Sequence, residues 1–586
     1  MAETVAGEGT SGRTGRGWAA AATALILLLF ALELLSALDL STTYDEPGHL
    51  RYGRQLLRGD ARRFDDSKMP VSALNALPSA IARTLPPGAL RTALASRLAA
   101  RVPTMLASLA LAALVWRWSR RLWGERGGLL SLGLCAFDPN LLAHARLVTT
   151  DLWAALAFTA VFFLYWRFAA LPGAGRFAAL ALGLALAQVV KYNAVLLVPL
   201  LAVLAAVRFG PELVAAWRRG ERAPVRGRLG ATALGIALAG VVALTVIDFA
   251  FLGDRTFTRF GDYHFRSATL RGAQERLPSL AAVPVPVAYP WLEGLDWVHH
   301  RERSGEGYGR IYLRGELRER GGFRGYYLWA WLYKVPLPTQ LLVAAALAVA
   351  WRRRRELDWR RDLAVLLLPA LVLAVHLNFF FGAQMGVRYS LLMFPPLYVF
   401  AGVLLARPLR VAAAGALAAA VAWLVVSVLS WHPHYLSYFN ELLRDRRLAW
   451  RLLADSNLDW GQNEHLIRRW LAAHPAAVLE PAWPRPGLVV VRANFLTGVI
   501  GDERFAWLRR MRPVDHVGYS YLVFDVRPED VPPPRSGARS NHADDSSRTG
   551  GDKPRPYVRS RVRRIHVRPA SDGGLVSSSR PVPIRL

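Results

Sequence analysis

The chain has 586 residues, 53% of them apolar, and a formal net charge of +30 from 73 Lys and Arg against 43 Asp and Glu. The apolar residues come in long blocks, which excludes an ordinary water-soluble globule and marks a membrane protein. Much of the positive charge lies in the connections between blocks and in the C-terminal segment, so no nucleic-acid partner is needed to account for it.

The first block, "WAAAATALILLLFALELLSAL" at 18–38, carries one charge, Glu33, over a length that crosses about 30 Å of hydrocarbon. It runs straight into polar loop with no small-residue cleavage site, so it reads as a span and not as a secretory leader. Further blocks fall at 102–118, 128–146, 150–169, 177–190, 192–208, 229–251, 328–350, 363–382, 390–406 and 411–430, about eleven spans in all. Three connections, "WRWSRRLWGER", "RFGPELVAAWRRGERAPVRGR" and "WRRRRELDWRRD", hold four, six and six Arg and share one face if spans alternate. Short loops of the other face hold about one cation each. Retained cations mark the cytoplasm, so the expected topology places the N-terminus (1–17) inside and the C-terminus outside, in a plasma (cell inner) membrane. The lone cysteine, Cys135, sits in an apolar run, which excludes disulfides and cysteine metal sites.

Along the chain, the ionisable residues near span ends gather on the outer face. Asp45 and Glu46 stand in the first outer loop, 39–92, in "TTYDEPGHLRYG", and Lys68 follows in "SKMP". Arg101 lies at the outer end of the second span, His144 and Asp151 bracket the next outer turn, Lys191 ends the fifth span, and Arg388 follows the ninth. A second long outer loop, 252–327, is rich in Trp, Tyr and His and reads as a partly ordered cover; His299 and His300 there read as ordinary surface histidines. After the last span, amphipathic helices and the strands "PGLVVVRANFLTG" and "YSYLVFDVRP" predict a small extracytoplasmic α/β domain at 431–530, with Asp455 and Asp459 one helical turn apart. Residues 531–586, rich in Pro, Ser, Gly and Arg, read as a disordered basic tail. Charge at a bilayer surface is costly and usually functional, so the outer interface is the expected working surface.

These residues, in this order and on one side, resemble the GT-C superfamily of polyprenyl-phosphate-sugar-dependent glycosyltransferases, the group of the protein O-mannosyltransferases and the aminoarabinose transferase. The likeness covers roughly 18–465 and rests on the Asp-Glu pair after the first span, "KMP", "ARVPTMLASLALAALVWRWSRRLWG", "HARLVTTDLWAALAF" and "GVRYSLLMFPPLYV"; "PHYLSYFNEL" and "DSNLDWGQ" are similar to a bacterial branch. It implies a GT-C type module at 18–430 that moves a hexosyl or pentosyl unit from a lipid phosphate to an outside hydroxyl on lipid, glycan or protein. It assigns Asp45 and Glu46 to the catalytic pair, Asp45 as general base and Glu46 as a supporting or acceptor-positioning group, and places Asp151 near the sugar or Lys68.

The chemistry is consistent with that reading. A polyprenyl-phosphate donor stays in the bilayer, its phosphate is already a good leaving group, and the enzyme needs one base and cations for the developing charge. Arg101, Lys68 and Arg388 are candidates for the phosphate, each with snorkelling to headgroups as the plainer alternative. His144, Asp151, Lys191, Asp455 and Asp459 are candidate substrate contacts; Asp151 also reads as a helix N-cap, and Asp45 with Glu46 as a solvated turn ending at Pro47. A glycosidase would set two carboxyls about 5 to 9 Å apart across the bond, which adjacent residues do poorly. No organic cofactor motif appears, and a divalent metal, the acceptor and the oligomeric state stay open. The rival reading is a transporter or flippase, with its ionisable groups along a midplane path and repeated halves; a third is a non-catalytic envelope scaffold.

Overall fold

The computed structural model describes residues 6–60, 68–306, 309–501 and 503–533, so nearly all of the expected tail lies outside the described residues. It is a helical, multi-pass membrane protein with one four-stranded sheet. Among the described residues eight helices are long and apolar enough to cross a bilayer, and a bent pair makes a ninth candidate.

Helix α1 (Ala6–Leu38) begins inside the expected 1–17 tail, and its apolar part is Arg16–Leu38. The connection 39–92 is itself helical. There α2 (Glu46–Leu57) and α3 (Ser72–Thr84) pack so closely that a Cβ on Gly53 would clash with the Ser72 carbonyl oxygen, and the short α4 (Ala89–Leu94) follows. Helix α5 (Arg97–Ala136) starts on the Ser96 hydroxyl, which accepts the Ala99 amide at 3.2 Å. It contains the second expected span and the start of the third, separated by a break at Gly124, whose φ of +79° suits glycine.

The third span does not run through to 146. Asp138 starts a new helix, α6 (Pro139–Ala145), by accepting the Asn140 and Leu141 amides at 2.6 and 3.1 Å, with proline in the first turn. Next come α7 (Asp151–Ala170), α8 (Ala174–Ala187), α9 (Leu197–Arg218) and α10 (Arg222–Ala250). The connection 252–327 holds α11 (Ala268–Arg276), α12 (Tyr289–Ser304) and a hairpin of β1 (Ile311–Leu313) with β2 (Glu316–Arg318). Its ordering comes from an aromatic stack, with Tyr263 4.7 Å from Tyr289 and 5.2 Å from Phe265 between centroids. The eighth span is broken: α13 (Tyr326–Lys334) and α14 (Leu337–Arg352) meet at 110°, because Pro336 cannot continue a helix. Helices α15 (Ala364–Phe379), α16 (Phe394–Ala401, within the apolar stretch 387–405) and α17 (Val411–Leu429) complete the bundle.

Beyond α17 lie α18 (Glu464–Ala473), β3 (Val478–Leu479), β4 (Gly487–Arg492), α19 (Ala493–Thr497), β5 (Asp515–Val517) and β6 (Tyr521–Val526), with sheet order β3-β4-β6-β5. The two strands expected from the sequence are the central pair, in register from Gly487 opposite Val526 to Arg492 opposite Tyr521. Ahead of the sheet, 430–463 is mostly short turns and not amphipathic helix. The buried Lys334 amine on α13 donates to the Leu436 and Asn457 carbonyls at 2.8 and 2.6 Å, and the Asn457 side chain accepts the Val387 amide at 2.9 Å. Satisfying these buried polar groups joins the segment to the helices.

Candidate active site

The site is built where the end of α1, the start of α2 and the stretch 455–465 meet. The Ser41 amide donates to the Gln462 carbonyl (2.8 Å) and the Tyr44 amide to the Trp460 carbonyl (3.1 Å), so "DSNLDWGQ" holds the acidic loop in place by backbone pairing. The Ser41 hydroxyl adds a contact to His465 Nδ1 at 2.9 Å.

The two adjacent acids have different surroundings. Glu46 is buried, its side chain 1% exposed, and takes both prongs of Arg101: Nε to Oε1 and Nη2 to Oε2, each 2.8 Å. It also accepts the Thr43 amide at 2.7 Å and the Val148 amide at 3.1 Å. Arg101, 0% exposed, spends its remaining donors on the carbonyls of Ala37 (3.2 Å), Leu40 (3.5 Å) and Ser41 (2.8 Å) at the end of α1. The expectation that Arg101 meets a phosphate does not fit this geometry. Every arm of the guanidinium is engaged inside the protein, and Glu46 and Arg101 together brace the loop.

Asp45 stands at the N-terminal edge of α2 without capping it, and its side chain is 25% exposed. Its Oδ2 lies 3.1 Å from Arg388 Nη1. Burial alone would raise the Asp45 carboxyl, but the charges of Arg388 and Lys68 outweigh burial and hold it below the ordinary value. Lys68 reaches the same place: a Cβ on Gly48 would meet its Cε at 3.0 Å and its Nζ at 3.8 Å. Beside it, buried His49 contacts the Ser72 hydroxyl at 2.9 Å and is pushed down to about 3 by burial and by Lys68, so it is neutral near pH 7.

Arg388 ties this corner to Asp151, whose Oδ2 is 3.8 Å from the same Nη1; Lys191 Nζ lies 2.5 Å from Asp151 Oδ1, and His144 Nδ1 is 3.8 Å from Oδ2. Asp151 opens α7 but its side chain makes these contacts; the N-cap position belongs to Thr150. Asp455 adds a third carboxylate around Arg388. Its backbone is held at φ +57°, the Ser456 amide donates to its Oδ1 at 2.5 Å, and burial raises its pKa against the opposing effect of Arg388. Asp459 turns elsewhere, toward Arg492. Burial raises it to about 6, and its Oδ2 has no hydrogen-bond partner among the described residues.

Of the expected residues the structure therefore gathers Asp45, Lys68, His144, Asp151, Lys191, Arg388 and Asp455, and leaves out Glu46, Arg101 and Asp459. Sequence reasoning missed Trp460, whose ring lies 4.3 Å from the Arg388 guanidinium and 5.8 Å from His144, and Tyr389, 4.8 Å from Lys191 Nζ. Both follow flagged residues closely, but only the folded chain shows which aromatic rings meet the cations. His299 and His300 lie outside this cluster; His300 pairs with Glu306 at 3.2 Å. Among the described residues no group of three or more His, Cys, Asp and Glu is placed to hold a metal.

Residues 89–216 match the family model described as dolichyl-phosphate-mannose-protein mannosyltransferase. That segment is similar to this mannosyltransferase family. It carries Arg101, His144, Asp151 and Lys191, four of the residues around which the loop and the cluster are built. No curated protein matches the chain. Among solved structures the chain is similar to ArnT from Cupriavidus metallidurans bound to undecaprenyl phosphate, at 13% identity over 88% of this chain and 99% of that one, with a TM-score of 0.44. The apo state of the same ArnT aligns at 12% identity over 89% and 100%, with a TM-score of 0.30.

Proposed function

We propose that this protein is an integral-membrane glycosyltransferase that moves a sugar from a polyprenyl-phosphate donor to an acceptor hydroxyl outside the cytoplasm, in a plasma membrane with the N-terminus inside. The observation that carries the reading is one ionised, partly exposed carboxylate, Asp45, set 3.1 Å from a cation that also touches Asp151 and an aromatic face. The dolichyl-phosphate-mannose description of the matched family supports the donor class.

In this mechanism Asp45 takes the proton of the acceptor hydroxyl as its oxygen bonds to the anomeric carbon. The bond from that carbon to the phosphate oxygen breaks, and the polyprenyl phosphate leaves with the charge gained. Arg388, Lys68 and Lys191 meet that charge, the first as a planar fork and the lysines as point charges. Asp151 holds Lys191 and Arg388 in position, and Asp455 and Trp460 line the sugar side. The test is transfer of labelled sugar by the full-length protein in lipid, across a panel of polyprenyl-phosphate donors and hydroxyl acceptors. Transfer that needs Asp45 and is lost in Asp45→Asn, with donor binding kept, supports the reading. Undiminished transfer by the variant moves the base elsewhere, and no transfer by the wild type overturns the proposal in favour of a transporter.

A further inference from the structure

The outer-loop helix α2 has a second functional-looking face. One side, Glu46, His49 and Gly53, is buried against the loop, Lys68 and α3. The adjacent side lines a pocket of about 510 Å³ made by Thr42, Pro47, Leu50, Arg51, Arg54, Gln55 and Arg58, closed by Arg83 from α3. Arg51, Arg54 and Arg58 follow at i, i+3 and i+7, so one helical face directs three guanidiniums to the same space. Among the described residues none of the four arginines forms an ion pair with a carboxylate, although the acidic residues of this loop sit a turn away; only Arg54 has a side-chain partner, the Ser79 hydroxyl at 3.2 Å. Four like charges around one pocket repel one another, and Arg54 is lowered by burial and then by Arg83 and Arg58. An anion in the pocket removes that repulsion.

The setting selects the kind of anion. On the side of α3 away from its packed residues, Leu74, Leu77 and Ile81 are 40%, 38% and 50% exposed at the same helical spacing, and Leu57 at the end of α2 is 40% exposed. Such a stripe belongs against hydrocarbon, which puts the α2–α3 pair at the bilayer surface and its arginines at headgroup depth. We propose that the pocket of Arg51, Arg54, Arg58 and Arg83 holds the phosphate headgroup of an anionic membrane lipid. This site is separate from the Arg388 cluster, and the inference does not depend on the transferase reading.

The experiment is thermal unfolding of the full-length protein in neutral detergent, titrated with phosphatidylglycerol, with phosphatidylcholine, or with inorganic phosphate. The comparison is between wild type and Arg51→Gln with Arg58→Gln, two exposed side chains whose loss removes no internal contact. The expected result is a rise in Tm specific to phosphatidylglycerol in the wild type, whose titration midpoint moves about tenfold higher for each guanidinium removed. The unliganded Tm of the variant should stay the same. An unchanged midpoint in the variant overturns the proposal, and so does an equal response to inorganic phosphate, which would make the pocket a site for a free anion. Asp45→Asn should respond to lipid like the wild type whether or not the protein transfers sugar.

Discussion

Two Arg–carboxylate pairs begin at neighbouring residues and end in opposite roles. Glu46 and Arg101 form a sealed, two-pronged pair with every arm engaged. Asp45 and Arg388 share a single contact, leave a quarter of the Asp45 side chain exposed, and divide Arg388 with Asp151. The difference comes from where α2 starts. Glu46 is its first residue and points into the bundle, while Asp45 occupies the cap position without capping, so its carboxylate is left to face the cluster. A closed pair fixes a loop, and an incompletely satisfied one has capacity left for a substrate.

The largest test of that contrast removes charge from each acid in turn. Asp45→Asn is expected to lower kcat by about 10²- to 10⁴-fold, the usual worth of a general base, with little change in Tm. In the wild type the fall of kcat/KM on acidification should come at lower pH than an ordinary carboxylate would give, because Arg388 and Lys68 hold the folded Asp45 below its ordinary value; a fall in rate beginning above the ordinary carboxylate range would assign the base to another group. Glu46→Gln should do the reverse in kind. It leaves Arg101 buried without its partner, and unfolding in detergent should show a loss of about 3 to 5 kcal/mol with activity declining only as the fold does. Equal effects of the two substitutions on Tm would erase the distinction.

Much of this was legible in the sequence. The apolar blocks located the spans because hydrocarbon imposes a length and a composition that few other settings impose. What the blocks could not show is where a span breaks, since Pro139 and Pro336 bend their segments only in concert with what packs beside them. In the site, Asp45 and Glu46 were visible as a pair, but their division of labour depends on Arg101, 55 residues away along the chain, reaching Glu46. Asp455 and Asp459 looked equivalent at one-turn spacing. A positive φ at Asp455 and the pull of Arg492 on Asp459 send them to different places. Trp460 was readable as a residue and unreadable as a platform, because Arg388 arrives over it from another span.

A smaller effect should follow from Arg388→Lys. The substitution keeps the charge but loses the planar guanidinium whose Nη1 meets both Asp45 and Asp151, so donor KM should rise by roughly one to two powers of ten, in keeping with the few kcal/mol of a charge-assisted contact. Loss of the fold in this variant, in place of a change in KM, would place Arg388 with Arg101 as bracing.

The smallest effect separates the two aspartates of the late segment. Burial raises Asp459 to about 6 from an ordinary 3.8, so the folded protein binds that proton more tightly than the unfolded chain does. The resulting stability is present at low pH and is lost as pH rises through 6, where the carboxylate must ionise with one oxygen unpaired. Asp459→Asn carries no such dependence. Measured against the wild type, the variant should therefore gain on the order of 2 kcal/mol between pH 4 and pH 8, read as a Tm difference that grows with pH. Asp455→Asn, beside the Arg388 charge, should show the larger loss of transfer. The opposite assignment, with Asp459 the one needed for transfer, would extend the working surface past Arg388 to Arg492 and leave Asp455 as a strained turn alone.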